Sequence, residues 1–133
     1  TPVALIAGMT TAAEIADLEC AEQQAKCAAI KEDLLKHLEG VRYTINGAPE
    51  YCISNTINIS FDGVDAESLF VALKGEYAFS NGSACNSSSY TPSYVLTEMG
   101  LSTKLINEAV RISWSTDTKI DFSSLVHCIK NMQ

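Results

Sequence analysis

One cysteine of the sequence lies in a segment whose composition could support thiol chemistry. Cys85 is the only residue in the run 80–89 that is not Ser, Asn, Gly or Ala. Runs of this kind form surface loops, and loops carry a large share of catalytic and binding residues. A cysteine in a loop is open to a reaction partner, whereas one on an apolar helix face is inert. The alternative interpretation is a solvent-exposed loop that contains a cysteine without function.

The other candidate ligands and nucleophiles form no recognisable site. No Lys, Arg or His lies within ten residues of Cys85, so no neighbour in sequence would lower its thiol pKa. Neither His37 nor His127 lies in a motif, so a Cys–His hydrolase is weakly supported. The remaining cysteines form no CxxC pair, which argues against a zinc or thioredoxin-like site, and we predict no metal site. We expect all four of them to be small buried apolar residues: Cys20, Cys27, Cys52 and Cys128.

Composition predicts one folded domain over residues 1–133. Of the 133 residues, 47% are hydrophobic and 19% are charged, which provides for a packed core. The net charge of −7 argues against direct binding to nucleic acid or to an anionic membrane. No apolar stretch approaches the ~18 residues of a membrane span, and no signal peptide opens the chain. Without a secretion signal we expect reduced thiols and a cytoplasmic location. Because the chain begins with Thr1 rather than Met, we also expect it to be part of a longer protein.

The pattern of residues predicts an α+β fold that places Cys85 between a strand and a helix. A long N-terminal helix should begin at Thr10 or Thr11 and extend to residue 39, a length of about 42 Å. A helix of that length usually contacts another domain or chain. Helices should pack on one face of a sheet of three or four strands. The predicted strands are 41–45, 53–61, 77–79 and 109–114. The predicted later helices are 66–74, capped by Asp65, and 91–99, opened by Thr91-Pro92. Two more helices are predicted at 102–107, capped by Ser102, and at 121–131, capped by Asp121.

Several of these segments resemble pyridoxal-phosphate-dependent cysteine desulfurases. Ser-Asn-Gly-Ser-Ala-Cys at 80–85, followed by Thr-Pro-Ser-Tyr-Val-Leu at 91–96 and Met-Gly-Leu at 99–101, is similar to their active-site loop. The similarity is to the NifS/IscS-like class of aminotransferase class V, whose signature is Ser-Ser-Gly-Ser-Ala-Cys. Further similarities follow in the same order over nearly the whole chain: 1–9, 55–61, 65–74 and 110–113.

The resemblance implies the small C-terminal domain of a fold-type I pyridoxal phosphate enzyme, and a role for three residues. Cys85 matches the nucleophile that takes sulfur from L-cysteine as a persulfide, releases alanine and passes the sulfur to a protein acceptor. Arg111 matches the arginine that binds the substrate carboxylate; the alternative is a structural salt bridge. Thr1 matches a threonine that contacts the cofactor phosphate of the partner subunit in a homodimer; the alternative is a linker residue.

The resemblance also implies that most of the active site lies outside this chain. The Schiff-base lysine belongs to the large domain of the family, and none of the seven lysines here lies in a matching motif. We therefore expect this chain alone neither to bind pyridoxal phosphate nor to desulfurate cysteine. The alternative is a cofactor-free persulfide carrier or a regulatory thiol or interaction module.

Some positions depart from the family pattern and leave the sulfur acceptor open. Asn81 replaces a usual Ser, and Trp114 to Asp117 follow Ser113 where the family tends toward Leu-Gly. The chain ends at Gln133 without the longer tail that, in housekeeping members, helps to bind the iron–sulfur scaffold. The candidate acceptors are an iron–sulfur scaffold, a tRNA-thiolation carrier and a DNA phosphorothioation protein.

Overall fold

A three-stranded antiparallel sheet forms the centre of the domain. A computed structural model describes residues 2–81, 92–117 and 119–133. The sheet order is β1 (Tyr43–Ile45), β2 (Thr56–Phe61) and β3 (Ala109–Ser113), with β2 in the middle. The described helices are α1 (Val3–His37), α2 (Ala66–Ala72), α3 (Tyr94–Glu98), α4 (Thr103–Asn107) and α5 (Ser123–Met132). The predicted α+β class, with a three-stranded sheet and a long N-terminal helix, is confirmed.

Helix α1 begins earlier than the sequence pattern predicted. It has 35 residues, which corresponds to about 52 Å, and it starts at Val3 rather than at Thr10 or Thr11. The Thr10 and Thr11 hydroxyls donate to carbonyl oxygens one turn back, at 3.0 and 3.2 Å, so they lie inside the helix and cap nothing. Only Cys27 and Leu34 of this helix are buried. The half of α1 that precedes Cys27 therefore lies on the surface of the described domain.

The larger of two hydrophobic clusters lies on one face of the sheet, and the alternation of β2 puts its side chains there. Ile57, Ile59 and Phe61 are at most 3% exposed, as the alternating pattern predicted. The strands are shorter than predicted, because β1 begins at residue 43 instead of 41 and β2 at 56 instead of 53. The largest fully buried partners come from three helices and their connections: Leu34, Leu38, Val64, Leu69, Phe122, Leu125 and Ile129.

Two helix starts follow the predicted side-chain caps. The Asp65 carboxylate accepts from the Ser68 N–H at 2.8 Å at the start of α2. The Ser102 hydroxyl accepts from the Leu105 N–H at 3.3 Å at the start of α4. These caps satisfy helix N–H groups that have no partner within the helix, which fixes where each helix begins.

Two other predicted boundaries are wrong by a few residues. Helix α3 begins at Tyr94, with the Ser93 hydroxyl as its cap, so Pro92 precedes the helix instead of opening it. Thr91 lies outside the described residues. Helix α5 begins at Ser123 after Phe122, although the Asp121 carboxylate still accepts the Ser123 N–H at 2.9 Å.

The predicted strand 77–79 is absent as a strand. Only single bridges occur in this segment, between Lys74 and Tyr77 and between Ser80 and Arg111. The Tyr77 and Phe79 rings stack with centroids 5.3 Å apart. Aromatic stacking thus orders this segment beside β3, while its backbone bonds to β3 only at Ser80.

Candidate functional site

Arg111 lies at the middle of β3 on the face opposite the core. Its neighbours Val110 and Ile112 are buried, and Arg111 is exposed because successive strand residues point to opposite faces. The guanidinium is free to meet a ligand from solvent without a desolvation cost from the core.

Arg111 is tied to the start of the segment that contains Cys85. The backbone N–H of Arg111 donates to the Ser80 carbonyl at 2.7 Å, and the backbone N–H of Ser80 donates back to the Arg111 carbonyl at 3.2 Å. The Arg111 Nη2 also donates to the Ser80 hydroxyl at 3.3 Å. On the other side of β3, Asn58 of β2 stands directly opposite Arg111. The candidate substrate-binding arginine and the first residue of the 80–89 run are thus neighbours, though 31 positions apart in sequence.

The guanidinium makes no ion pair with a carboxylate in the part of the chain that the structure describes. The ion pairs found there are Lys26–Glu22, His37–Asp33, Arg42–Asp62, Lys104–Asp62 and Lys104–Glu108. The alternative role of Arg111 as a structural salt-bridge partner gains no support from these residues. A guanidinium has five N–H donors in a planar fork, and that geometry matches a carboxylate with two parallel hydrogen bonds.

Cys85 and Thr1 lie outside the described residues. Their assignments as nucleophile and as cofactor-phosphate ligand stay predictions.

The other four cysteines are not all buried, contrary to the prediction. Cys27 is buried and Cys128 is half-buried, but Cys20 and Cys52 are exposed. Cys20 lies on the surface half of α1, and Cys52 follows a short 3₁₀ turn at Pro49–Tyr51. Burial raises the pKa of the Cys128 thiol, and the Glu76 carboxylate raises it further. Nothing in the one-dimensional pattern distinguished the exposed thiols, because they sit in segments with ordinary apolar neighbours.

An open pocket of about 600 Å³ lies beside β3, next to the bridge between Ser80 and Arg111. Its lining includes Tyr77, Phe79, Ile112 and Ser113. The Tyr77 hydroxyl bonds to the Asp121 carbonyl and, at 3.0 Å, to the Ser124 hydroxyl, which fixes the ring. The sequence motifs described above do not include Tyr77 or Phe79. In the sequence these residues were marked only as part of the short predicted strand 77–79.

The described ranges contain no side-chain arrangement of the kind that pyridoxal phosphate or a metal ion requires. Each lysine in the described ranges is exposed or half-buried. An imine-forming lysine needs a desolvated setting, which these solvent-accessible positions lack. No group of three His, Cys, Asp or Glu side chains in those ranges is arranged to hold a metal ion. Nor does any helix described here have the length and apolar character needed to cross a bilayer.

Comparison with known proteins identifies the relatives of this chain. No protein-family profile matches it. The cysteine desulfurase IscS of Histophilus somni is 39% identical over 126 residues, which are 92% of this chain and 31% of that protein. In structure, a NifS-like protein covers 90% of this chain with a TM-score of 0.68 and 22% identity, over 29% of its own length. DndA from Streptomyces lividans covers 86% of this chain with a TM-score of 0.59 and 31% identity, over 32% of its own length.

These relatives agree with one another in the extent of the match. The chain spans about a third of the length of the curated relatives. The similarity to the NifS-like structure supports the same fold, and the match is consistent with the small C-terminal domain that the sequence motifs implied. The resemblance found in the sequence is confirmed: the chain is a homologue of the cysteine desulfurases and corresponds to about one third of such a protein.

Proposed function

We propose that this chain is the sulfur-accepting part of a cysteine desulfurase. The Cys85 sulfur forms a bond with the sulfur of L-cysteine, the substrate carbon–sulfur bond breaks, and alanine leaves. The atoms balance, since a thiol and cysteine become a persulfide and alanine. The observation that carries the proposal is the backbone pairing of Ser80 with Arg111, which joins the cysteine segment to a candidate carboxylate ligand.

Chain length supports a joint role of Cys85 and Arg111. Cys85 comes five residues after Ser80 in the sequence. Five residues span at most about 18 Å even when fully extended, so Ser80 limits how far Cys85 lies from the arginine. A cysteine substrate bound through its carboxylate would project its thiol from that same position. The short tether therefore favours attack by Cys85 over attack by a cysteine elsewhere in the chain.

Arg111 suits the recognition of an amino-acid carboxylate. Its side chain is exposed, and within the described ranges its hydrogen bond goes to a hydroxyl rather than to an anion. The positive charge therefore remains available to a substrate carboxylate. A bidentate contact would fix the orientation of the bound amino acid as well as its affinity.

The remaining parts of the reaction would come from the whole enzyme. Pyridoxal phosphate, which supplies an electron sink when bound, would be held mainly by residues outside this chain. We propose that the full-length protein is a cytoplasmic homodimer in which Thr1 contacts the cofactor phosphate of the partner subunit. The isolated chain would be inactive. The persulfide would pass to a protein acceptor serving iron–sulfur assembly, tRNA thiolation or DNA phosphorothioation, and any nucleic acid would be served indirectly because the chain is acidic.

The test is to locate the transferred sulfur. The full-length protein that contains this chain is incubated with L-cysteine and digested without reduction. Peptide mass spectrometry should then find one added sulfur atom on Cys85. The Cys85→Ser variant should lack this sulfur, and the matched variant Cys128→Ser should keep it. Sulfur on Cys20 or Cys128 of the wild-type protein would overturn the assignment.

The same experiment separates an enzyme from a cofactor-free carrier. An enzyme releases alanine from L-cysteine in an amount equal to the bound sulfur. A carrier would gain sulfur on Cys85 only from an added persulfide donor and would release no alanine.

A further inference from the structure

Three of the five cysteines line one groove that is separate from the site described above. The groove is open, has a volume of about 540 Å³, and lies between α1 and the segment 52–55. Cys20 and Cys27 line it from the helix, and Cys52 lines it from the segment. The other polar side chains in the groove are amides and a hydroxyl, and no charged side chain of the described ranges lines it. We call this feature the thiol groove.

The two helix cysteines face the groove from the same side of α1. Cys20 and Cys27 are seven residues apart, so their side chains differ in direction by only about 20°. Along the helix axis they are separated by about 10 Å. One face of α1 thus presents two thiols, two turns apart, to the segment across the groove.

Trp114 holds Cys27 and Asn55 together at one end of the groove. Its indole N–H donates to the Cys27 carbonyl at 3.0 Å, and its backbone N–H donates to the Asn55 carbonyl at 3.0 Å. Cys27 and Asn55 therefore lie at one end. Cys52 is three residues before Asn55, a span of at most about 10 Å. The segment is therefore long enough for Cys52 to reach the end of the groove that holds Cys20.

Cys20 and Cys52 are also the two accessible thiols of the groove. Both are exposed, whereas Cys27 is 6% exposed. The Cys20 sulfur accepts from the Gln24 amide at 3.2 Å, and the Cys52 thiol donates to the Ala48 carbonyl at 3.3 Å. Sulfur forms weak hydrogen bonds, so both are readily exchanged for other contacts.

A disulfide between these two thiols would need the turn of α1 that carries Cys20 to move toward Cys52. A disulfide needs Cα atoms about 4.4–6.8 Å apart. No residue of α1 before Cys27 is buried, so the turn that carries Cys20 can move toward Cys52 without loss of core contacts. The other wall is held by the turn at Pro49–Tyr51, where the Cys52 N–H donates to the Pro49 carbonyl at 3.3 Å.

We propose that Cys20 and Cys52 form a dithiol site that is oxidised to a disulfide by small disulfides such as oxidised glutathione. The thiolate of one cysteine attacks the small disulfide, which gives a mixed disulfide and releases one small thiolate. The second cysteine loses its proton to solvent and attacks the protein sulfur of that mixed disulfide, and the other small thiolate leaves. The two cysteines are oxidised and the small disulfide is reduced to two thiols. The new bond joins the surface half of α1 to the connection between β1 and β2.

The test maps the disulfide in the full-length protein, with Cys85→Ser as background so that persulfide chemistry does not contribute. After incubation with oxidised glutathione, non-reducing peptide mapping should find the Cys20 and Cys52 peptides linked. Cys20→Ser and Cys52→Ser should each abolish the link and leave a glutathione adduct on the remaining thiol. Cys128→Ser, the matched control, should keep the link.

A second measurement tests proximity without oxidation. Dibromobimane becomes strongly fluorescent when it joins two neighbouring thiols. The wild-type groove should therefore give a signal that either Ser substitution at Cys20 or Cys52 removes. Unlinked glutathione adducts on both cysteines, unmodified thiols at both, or a Cys27–Cys52 link would overturn the proposal. None of these outcomes bears on Cys85, whose sulfur is read separately in the test of the proposed function.

Discussion

Replacing Arg111 by Lys separates a substrate-binding role from a structural one. Within the described residues the exposed guanidinium makes one hydrogen bond, to the half-buried Ser80 hydroxyl at 3.3 Å. A long, solvent-accessible bond of this kind contributes at most about 0.5–1 kcal/mol to folding. A charge-assisted bond to a substrate carboxylate contributes about 1.5–3 kcal/mol, and the bidentate geometry is lost when Lys replaces Arg. By the relation of 1.4 kcal/mol per factor of ten, KM should rise about 10- to 150-fold.

The assay compares catalysis with stability in the full-length protein. Alanine formation from L-cysteine gives kcat and KM, and urea denaturation gives the free energy of unfolding. Arg111→Lys should raise KM strongly while it lowers the unfolding free energy by less than about 1 kcal/mol. Arg111→Gln, which also removes the charge, should raise KM further than the Lys variant does.

Ser80→Ala is the matched control, because it removes the hydroxyl partner and keeps the guanidinium. Its KM should stay close to that of the wild-type protein. An unchanged KM in Arg111→Lys would refute the assignment of Arg111 to the substrate carboxylate. So would a rise in KM in Ser80→Ala equal to that in Arg111→Lys, since the arginine would then act only by holding Ser80.

Two further predictions concern the frame around these sites. Trp114→Phe should lower the unfolding free energy by about 1–3 kcal/mol, because it leaves the buried Cys27 carbonyl without its indole donor; equal urea midpoints for variant and wild type would contradict this. The hydrogen bond from Lys104 and a further one from Arg42 lower the pKa of Asp62 below its ordinary value of 3.8. A carboxyl with a lower pKa in the folded state stabilises the fold above its unfolded pKa, and that stabilisation is lost as the pH falls below about 4. Asp62→Asn should therefore weaken the dependence of the melting temperature on pH in that acidic range, and parallel curves for variant and wild type would show that the ion pair has no such role.

Local signals in the sequence were sufficient where a single side chain sets a boundary. Asp65 and Ser102 cap their helices as predicted, because each hydroxyl or carboxylate meets an N–H only three residues ahead. The same kind of signal misled at Thr10 and Thr11. These hydroxyls bond back to carbonyls inside α1, an arrangement open to Thr in a helix interior as well as at its start.

Features that depend on distant parts of the chain could not be predicted in the same way. The segment 77–79 has the composition of a strand, yet its pairing is decided by β3, some thirty residues later, and takes place only at Ser80. Arg111 was found through a motif, but its exposure depends on which face of β3 the core covers. The exposure of Cys20 likewise depends on how much of α1 the rest of the domain covers, and composition carries no information on this.

The two candidate sites are kept apart by the alternation of side chains along β3 and just beyond it. Arg111 points to the face away from the core, while Trp114, three residues later, is buried and bonds to α1. The position of Arg111 is set by backbone pairing with Ser80 and β2, and neither partner lines the thiol groove. A cross-link in the thiol groove would therefore restrain the N-terminal part of α1 without displacing the arginine. Pairing with β2 holds Arg111 in its strand, while Trp114, just beyond that strand, bonds to the carbonyl of Cys27 beside the thiol groove.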